Sequence, residues 1–357
     1  MKRPGPYHFA FACLLLLAAC ARPELTGLSQ PVPEARIARV FIATQRQADQ
    51  YVHMFGQERS AQTYYGAMDV SIPPTHRTGG LERTSGVADA NRFFAPVAAE
   101  RYDDVGALTA GLRRARAGDG GLVLFVHGYN NTLEDAAFRL AQIREDFGIE
   151  EPGLAFVWPS AGDARGYIYD RDSTLFARDG FEQLLRDLRA SGQRRVLLVA
   201  HSMGSYLAME TLRQIAIKGD RKIFDMLEGV VLMAPDIDPD VFRQQAQAIG
   251  PLPQPFIIMT SQRDKVLSIA GLLTGLKPRL GRIESPEEVA GLGVTVIDFS
   301  ELDDAPVAGG GHDAGFTSPK AIRLLKGLET RIRGGGGQLR DYVLLGKDRA
   351  LGGLLPQ

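Results

Sequence analysis

Nearly continuous apolar runs alternate with segments of helical spacing over most of this chain. Six such runs predict strands, at 122–126, 154–158, 196–200, 230–234, 256–260 and 294–299. Apolar positions at helical spacing predict helices between and after them, at 132–147, 173–189, 203–217, 239–248 and 318–332. Strands that are apolar on both faces are typical of parallel sheets with helices on either side, so the pattern predicts an α/β fold.

The first third of the chain is less regular. It predicts strands at 39–44 and 64–72 and a helix at 104–117, whereas 75–103 indicates no clear element. Farther along, only about twenty residues join the predicted strands at 230–234 and 256–260. That connection is too short for a large cap domain, so we expect an accessible site.

The N-terminus has the features of an export signal. Two basic residues precede an apolar segment, 9–19, which is too short to span a bilayer permanently. The segment ends in Leu17-Ala18-Ala19-Cys20, which resembles the lipobox of bacterial lipoproteins, and this resemblance implies lipidation of Cys20. An ordinary signal peptide with an incidental cysteine is the alternative. Ala21, where an Asp favours the inner membrane of enteric bacteria, implies an outer-membrane protein that faces the periplasm.

Composition excludes several classes of protein. The only cysteines are Cys13, in the predicted signal, and Cys20, so cysteine catalysis and cysteine metal sites are excluded from the mature chain. The net charge of −1 and the lack of a basic stripe argue against a nucleic-acid partner. No cofactor motif and no cluster of metal ligands is visible, so we expect neither a cofactor nor a metal.

One turn carries a serine in a distinctive setting. Ala200-His201-Ser202-Met203-Gly204 joins the predicted strand at 196–200 to the predicted helix at 203–217. A serine on a tight strand-to-helix turn, with small residues two positions away on either side, is the pattern of a nucleophile elbow. The pattern makes Ser202 a candidate nucleophile, which would need a base, an acid and an oxyanion hole.

The base and the acid are sought after the serine, in the order serine, acid, histidine. Of six histidines only His312 follows Ser202, in a glycine-rich loop before the last predicted helix, and a solvated loop histidine is the alternative interpretation. Asp264, just past the strand at 256–260, is the preferred acid. Asp236 and Asp238, past the preceding strand, are the alternatives, and Asp is also common in turns where strands end.

The oxyanion hole should use two backbone N–H groups. One would come from Met203, directly after the nucleophile, and the other from Tyr129, in the loop His127-Gly128-Tyr129-Asn130. Asn130 and Trp158 are candidate pocket residues, although core packing is at least as good an explanation for Trp158. His127 and His201 are interpreted as structural neighbours rather than bases.

Six motifs occur in order along the chain and together carry a family resemblance. They are His127-Gly128-Tyr129-Asn130, Trp158-Pro159-Ser160, Gly166-Tyr167-Ile168-Tyr169-Asp170, His201-Ser202-Met203-Gly204, Ala234-Pro235-Asp236-Ile237-Asp238 and Ser261-Gln262-Arg263-Asp264. The set resembles a family of bacterial α/β-hydrolases of unknown function, within the esterase and lipase superfamily. The resemblance implies an α/β-hydrolase fold and a Ser-His-Asp triad. Ala200 stands where most members have glycine.

These patterns predict four segments: a lipoprotein signal peptide at 1–19, a tether at 20–36, an α/β-hydrolase domain at 37–333 and a C-terminal extension at 334–357. The expected activity is serine hydrolysis of small-molecule or lipid esters, through an acyl-enzyme, by a protein anchored to the membrane through Cys20. A thioesterase or amidase on the same triad, or a non-catalytic envelope lipoprotein, are the alternatives. The oligomeric state is not indicated.

Overall fold

The computed structural model describes residues 25–49, 54–116, 120–275, 277–302, 311–333 and 342–344. The predicted signal peptide and Cys20, and all of the predicted C-terminal extension except 342–344, lie outside these residues. Within the described ranges, none of the helices combines the length and the apolar character that a bilayer span requires.

The strands that the structure describes form one ten-stranded sheet with the order β10-β9-β8-β7-β6-β4-β5-β1-β2-β3. The strands are β1 (Arg36–Ala48), β2 (Phe55–Ile72), β3 (Ala95–Tyr102), β4 (Gly121–Val126), β5 (Gly153–Val157), β6 (Arg195–His201), β7 (Leu227–Met233), β8 (Phe256–Thr260), β9 (Thr295–Asp298) and β10 (Tyr342–Leu344). Pairing is parallel from β10 through to β1, and antiparallel between β1 and β2 and between β2 and β3. The predicted, mostly parallel α/β sheet is therefore confirmed.

Helices follow most of the parallel strands, as expected for an α/β fold. The α-helices of the described ranges are α1 (Val105–Arg114), α2 (Leu133–Phe147), α3 (Tyr167–Ala190), α4 (Met203–Ile217), α5 (Pro239–Ile249), α6 (Lys265–Leu273), α7 (Ala314–Thr317) and α8 (Pro319–Arg333). Short 3₁₀ turns lie at Arg221–Met226, Leu280–Arg282 and Pro286–Val289. Residues 234–255, all of which are described, hold only α5 and its flanking loops, so the connection between β7 and β8 contains no large cap domain.

The core lies on both faces of the sheet. Strand β4 shows this directly, because Leu122, Leu124 and Val126 belong to one buried apolar cluster and Val123 and Phe125 to the other. Alternate residues of a strand point to opposite faces, so a strand covered on both sides is apolar throughout. The continuous runs in the sequence have this physical origin.

The N-terminal part of the sheet differs from the prediction. Strands β1 and β2 extend beyond the predicted ranges, and β3, in the segment that gave no clear element, adds an edge strand. The predicted tether is also partly attached to the domain. Ser29 is buried, its hydroxyl donates to the carbonyl of Ala88 at 2.7 Å, and its amide donates to that of Pro96 at 2.8 Å.

Candidate active site

Ser202 occupies the turn between β6 and α4 with an unusual backbone conformation. Its φ is +52° and its ψ is −121°, in a region that residues other than glycine rarely adopt. Ser202 stands at the N-cap position of α4, where a serine hydroxyl ordinarily accepts a hydrogen bond from the helix, yet it makes no such bond. The structure therefore leaves the hydroxyl free of the capping role that would otherwise explain the residue.

Two glycines allow the β4 loop to approach this turn. A Cβ on Gly204 would lie 2.3 Å from the carbonyl oxygen of His127, which is inside van der Waals contact. A Cβ on Gly128 would lie 2.7 Å from Nδ1 of His201 and 2.9 Å from Cβ of Ser202. The tight packing of the β4 loop against the serine turn thus depends on glycine at both positions.

His312 and Asp264 come together at the carboxyl edge of the sheet. Nδ1 of His312 lies 2.7 Å from Oδ2 of Asp264, and the Asp264 side chain is fully buried. The other carboxylate oxygen of Asp264 accepts a hydrogen bond from the amide of Leu267 at 2.8 Å and so caps α6. This second bond fixes the carboxylate, and the carboxylate in turn fixes the orientation of the imidazole.

The pKa of His312 reflects two opposing effects. Burial alone would lower this pKa, because it disfavours the imidazolium form. The negative charge of Asp264, with its hydrogen bond and smaller contributions from Asp313 and Asp236, outweighs burial and raises the pKa of His312 above its ordinary value. The surroundings therefore favour a protonated imidazole, as a base needs once it has accepted a proton.

His312 lies beside the residues that hold the Ser202 turn. The Ser202 amide donates to the carbonyl of Met233 at 2.9 Å, and Met233 and His312 line the same small cavity. The rings of His312 and His201, the residue before the serine, are 4.7 Å apart between centroids. Among the described residues there is no hydrogen bond between the Ser202 hydroxyl and His312. Catalytic hydrogen bonds are often long without substrate, so this geometry is compatible with a serine and base pair.

The two alternative acids are engaged elsewhere. Asp236 forms a buried ion pair with Arg279, Nε to Oδ1 2.6 Å, and accepts a hydrogen bond from the hydroxyl of Tyr167 at 2.8 Å. Asp238 caps α5 by accepting from the amides of Asp240 and Val241. Of the three candidate acids, Asp264 is the one whose carboxylate contacts the imidazole of His312.

The predicted oxyanion donors flank the serine turn. Met203 is the first residue of α4, where a backbone N–H has no acceptor within its own helix. Tyr129 lies in the β4 loop that Gly128 brings against Ser202. Within the described part of the chain, the backbone N–H groups of Met203 and Tyr129 donate no hydrogen bond. Asn130, the next residue, has a positive φ of 58°, and its amide donates to Asp170 at 2.9 Å.

Trp158 is a core residue rather than part of a pocket wall. It is fully buried, its indole N–H donates to the carbonyl of His127 at 2.8 Å, and its ring stacks on that of His127 at 4.7 Å. Burial, assisted by the charge of Arg46, lowers the pKa of His127 to about 3. His127 is therefore neutral at ordinary pH and supports the loop, as the sequence interpretation expected.

A second histidine and carboxylate pair, His201 and Asp313, lies next to His312. Nε2 of His201 is 3.2 Å from Oδ1 of Asp313, and Nη2 of Arg139 is 3.4 Å from the other oxygen of Asp313. Although burial would raise the pKa of Asp313, His201 and Arg139 hold it well below its ordinary value. Asp313 and Arg139 were not predicted from the sequence, in which the one available signal was the position of Asp313 directly after the candidate base.

His201, His312 and Asp313 are also the described residues whose ligand atoms come close enough to hold a metal ion, within 4.8 Å of one another. The guanidinium of Arg139 already contacts the Asp313 carboxylate, and Nδ1 of His312 already bonds to Asp264. A cation there would meet an existing positive charge, so this arrangement suits an ion-paired cluster better than a metal centre.

The expected open access to the site is not met among the described residues. Ser202 is 2% exposed, and the cavity beside His312 has a volume of only about 10 Å³. The apolar side chains of Met259, Phe299 and Phe316 fill the space around the imidazole. Residues 303–310, in the same predicted loop as His312, lie outside the described residues.

A larger cavity lies away from these groups. It has a volume of about 810 Å³ and is lined by the end of β1, the start of β2 and the start of α2, and by neither Ser202, Asp264 nor His312. One of its lining residues, the buried Arg46, contacts the β4 loop, because its guanidinium donates to the carbonyl of Asn131.

Comparison with known proteins adds a family. Residues 108–326, more than half of the chain, match the model of a family described as alpha/beta hydrolase of unknown function (DUF900). The chain belongs to this family. The matched segment includes every candidate triad and oxyanion residue of this chain, and it confirms the α/β-hydrolase fold and the resemblance to an α/β-hydrolase family of unknown function. The bacterial origin stays a prediction. Membership supports hydrolase chemistry in general and specifies no substrate.

The solved structures to which this chain is similar share little sequence with it. A hyperthermophilic esterase from the archaeon Pyrobaculum calidifontis is 11% identical over 92% of each chain, with a TM-score of 0.40. A hydrolase from Thermoplasma acidophilum, described as CIB-like, is 16% identical over 60% of this chain and 88% of its own, with a TM-score of 0.38. Esterase 2 of Thermogutta terrifontis is 12% identical over 63% and 90%, with a TM-score of 0.36. No curated protein sequence matches this chain.

Proposed function

We propose that this protein is a serine hydrolase that cleaves carboxylic esters of small molecules or lipids with Ser202, His312 and Asp264. The observation that carries the proposal is a serine at positive φ whose hydroxyl caps no helix, next to a histidine that is oriented by a buried aspartate. A purely structural turn would need neither the backbone strain nor the histidine and aspartate pair. The residues match the roles of a nucleophile, a base and an orienting acid.

The reaction begins with attack of the Ser202 oxygen on the acyl carbon. His312 accepts the hydroxyl proton, and Asp264, bonded to Nδ1, stabilises the imidazolium that forms. The negative charge on the former carbonyl oxygen is bound by the N–H groups of Met203 and Tyr129, each worth about 3 kcal/mol in the transition state. His312 then protonates the leaving alcohol, and the acyl-enzyme remains.

The second half repeats these steps with water. His312 removes a proton from water, hydroxide attacks the acyl carbon, and the acid product leaves as the proton returns to Ser202. Each triad group ends in its starting state, so no cofactor is consumed.

A fluorophosphonate probe tests the proposal. We expect the probe to label Ser202 in the folded domain, and Ser202→Ala to lose both labelling and ester hydrolysis. Ser205→Ala is the matched control, because Ser205 is a buried serine in the first turn of α4, three residues after Ser202, but its hydroxyl donates to the carbonyl of Ala200. Folded protein without an adduct on Ser202 would refute the proposal, and thioester and amide substrates assayed alongside would reveal a preference for a different leaving group.

We further propose that the protein is anchored through a lipid on Cys20, in the outer membrane of a bacterium and facing the periplasm. The support is the sequence Leu17-Ala18-Ala19-Cys20 followed by Ala21, all of which lie outside the described residues. Cys20→Ser should release the protein from washed membranes during fractionation, and continued membrane retention of that variant would contradict lipidation.

A further inference from the structure

We propose that Asp170 is a positioning residue for the oxyanion hole: its buried carboxylate, together with Ser160, fixes the loop that carries the Tyr129 N–H. This inference rests on the proposed function and adds to it. Asp170 and Ser160 belong to the motifs Gly166-Tyr167-Ile168-Tyr169-Asp170 and Trp158-Pro159-Ser160, to which the triad assigns no role.

The Asp170 carboxylate joins two loops. Asp170 lies in the first turn of α3 and is fully buried. Its Oδ2 accepts hydrogen bonds from the Asn130 amide at 2.9 Å and from the Ser160 hydroxyl at 2.6 Å, and its Oδ1 accepts from the Ala161 amide at 2.7 Å. All three donors come from outside α3, in the loops after β4 and β5, so the carboxylate does not serve as a cap of its own helix.

The hydrogen bond to the Asn130 amide holds the peptide group that follows the candidate oxyanion donor, the Tyr129 N–H. The peptide group between Tyr129 and Asn130 is held at both ends, because the Asn131 side chain donates to the Tyr129 carbonyl at 2.7 Å and the Asn130 amide donates to Asp170. Asn130 also has a positive φ, a conformation that costs free energy unless its surroundings impose it. A fixed peptide group after Tyr129 limits the rotation of Tyr129 itself, and therefore the direction of its N–H.

The rest of the loop is anchored by Ser160 and Arg46. The amide of Asn131 donates to the Ser160 hydroxyl at 3.1 Å. The buried guanidinium of Arg46 donates to the carbonyls of Asn131 at 2.8 Å and Ser160 at 3.1 Å. The amides of Asn130 and Asn131 and the carbonyl of Asn131 are thus held from outside the loop, as preorganised transition-state stabilisation requires.

Asp170→Asn removes this arrangement with the smallest change of shape. The two carboxylate oxygens accept from three donors, two of which are backbone amides. An Asn side chain has one oxygen and one NH₂ group, so whichever way it is turned the NH₂ faces a backbone N–H. The loop must then shift or lose a bond, and the Tyr129 N–H is displaced from the position of the oxyanion.

The expected effect is on the chemical step rather than on substrate binding. Outright loss of one oxyanion donor typically lowers kcat by about 10²–10³-fold, and a displaced donor should lose less, roughly 10–100-fold. KM should change little, because the donor acts mainly in the transition state. A trifluoromethyl ketone, which binds to the serine as a tetrahedral oxyanion, should lose affinity by the same factor as kcat/KM.

The experiment compares Asp170→Asn with two controls in the full mature chain. Asp172→Asn changes an exposed aspartate of the same helix, and Asp146→Asn changes a buried aspartate of α2 that accepts from the Gly79 amide and contacts His76. Fluorophosphonate titration counts the active sites, so kcat refers to competent enzyme only. Both controls should keep kcat and ketone affinity, although Asp146→Asn should unfold at a lower temperature.

Unchanged kcat and ketone affinity in folded Asp170→Asn would overturn the inference, and so would a loss of active sites with normal turnover in those that remain. If Asp170→Asn does not fold, Ser160→Ala decides, because it removes the acceptor of the Asn131 amide and one donor to Asp170. A wild-type protein without an adduct on Ser202 would refute the proposed function itself, whereas a labelled wild type with an unaffected Asp170→Asn would refute only the positioning role.

Discussion

Two buried aspartates, Asp264 and Asp236, allow a clean test of which one serves His312. Both follow parallel strands at the same edge of the sheet, and both are almost inaccessible to solvent. Asp264 contacts the imidazole at 2.7 Å, whereas Asp236 pairs with Arg279 at 2.6 Å. Asp264→Asn and Asp236→Asn should therefore fail in different ways, the first in catalysis and the second in stability.

The catalytic loss follows from the role of the acid. An Asn at 264 keeps the shape but favours the wrong tautomer of His312 and no longer stabilises the imidazolium. The equivalent change in serine proteases lowers kcat by about 10⁴-fold, which corresponds to about 5.5 kcal/mol of transition-state stabilisation. The amide of Leu267 can still donate to the Asn side-chain oxygen, so α6 should keep its cap and stability should fall little.

The loss of stability at Asp236 follows from its ion pair. Asp236→Asn leaves the guanidinium of Arg279, 4% exposed, without its counter-charge. Breaking a buried pair from one side typically costs about 3–5 kcal/mol. Replacing both partners, with Asp236→Asn and Arg279→Met together, removes the stranded charge and should recover part of the loss. Turnover per folded molecule should stay within about tenfold of wild type, because Asp236 contributes only a minor part of the field at His312.

The assay separates the two effects by counting active sites. Ester hydrolysis is normalised to sites titrated with a fluorophosphonate, and unfolding is followed by circular dichroism during heating. The assignment of Asp264 as the acid that serves His312 is refuted if Asp236→Asn loses turnover per titrated site while Asp264→Asn keeps it. Equal catalytic loss in both variants, with unchanged unfolding temperatures, would also contradict the assignment of separate roles.

Two further predictions follow from the same geometry. His312 must be neutral to accept the serine proton, and its pKa is raised, so kcat/KM should fall as the pH drops through a value above the ordinary pKa of histidine. In Asp264→Asn this fall should move to lower pH. A pH–rate profile with no such movement would contradict the pairing of His312 with Asp264. Gly204→Ala would place a Cβ 2.3 Å from the carbonyl oxygen of His127 and should cost about 1–3 kcal/mol or more, measured by thermal unfolding, whereas Gly27→Ala, with its nearest neighbour at 3.4 Å, should be close to neutral. An equal effect of the two alanine substitutions would mean that close packing at the turn is not what requires glycine.

The sequence predicted the central sheet well because burial on both faces leaves a direct mark on composition. The predicted strand at 196–200 matches β6, Arg195–His201, and the predicted helix at 203–217 matches α4. The prediction from the sequence failed where the apolar pattern is weak. Strand β3 is buried only at its first two residues, Ala95 and Pro96, and contains three alanines in eight residues, so its apolar signal is low. Helix α6 is short, and its cap residue, Asp264, had already been interpreted as a catalytic acid.

Helix α3 shows the same difficulty at a single boundary. It begins at Tyr167, six residues before the predicted start, and its N-cap residue, Gly166, has no side chain with which to cap it. The ordinary start signal is a Ser, Thr, Asp or Asn that bonds back to the helix. Asp170, in the first turn, could have given such a signal, but its carboxylate accepts from the loops after β4 and β5 instead. The start of α3 therefore has no capping side chain that the sequence could show.

Some features of the candidate site could be predicted from the order of residues along the chain, and others are visible only in the folded structure. Chain order made Ser202, His312 and Asp264 candidates, because strand ends at one edge of a parallel sheet must lie near one another, and the structure places His312 against Asp264. It could not have paired Asp236 with Arg279, 43 residues away, or the Asn130 amide with Asp170, 40 residues away. Contacts between residues far apart in the chain often have a backbone atom as one partner. Apart from proline, every residue type has the same backbone N–H and C=O groups. Such groups therefore leave no pairwise pattern in one sequence, and their partners become visible only when buried polar atoms are traced through the structure.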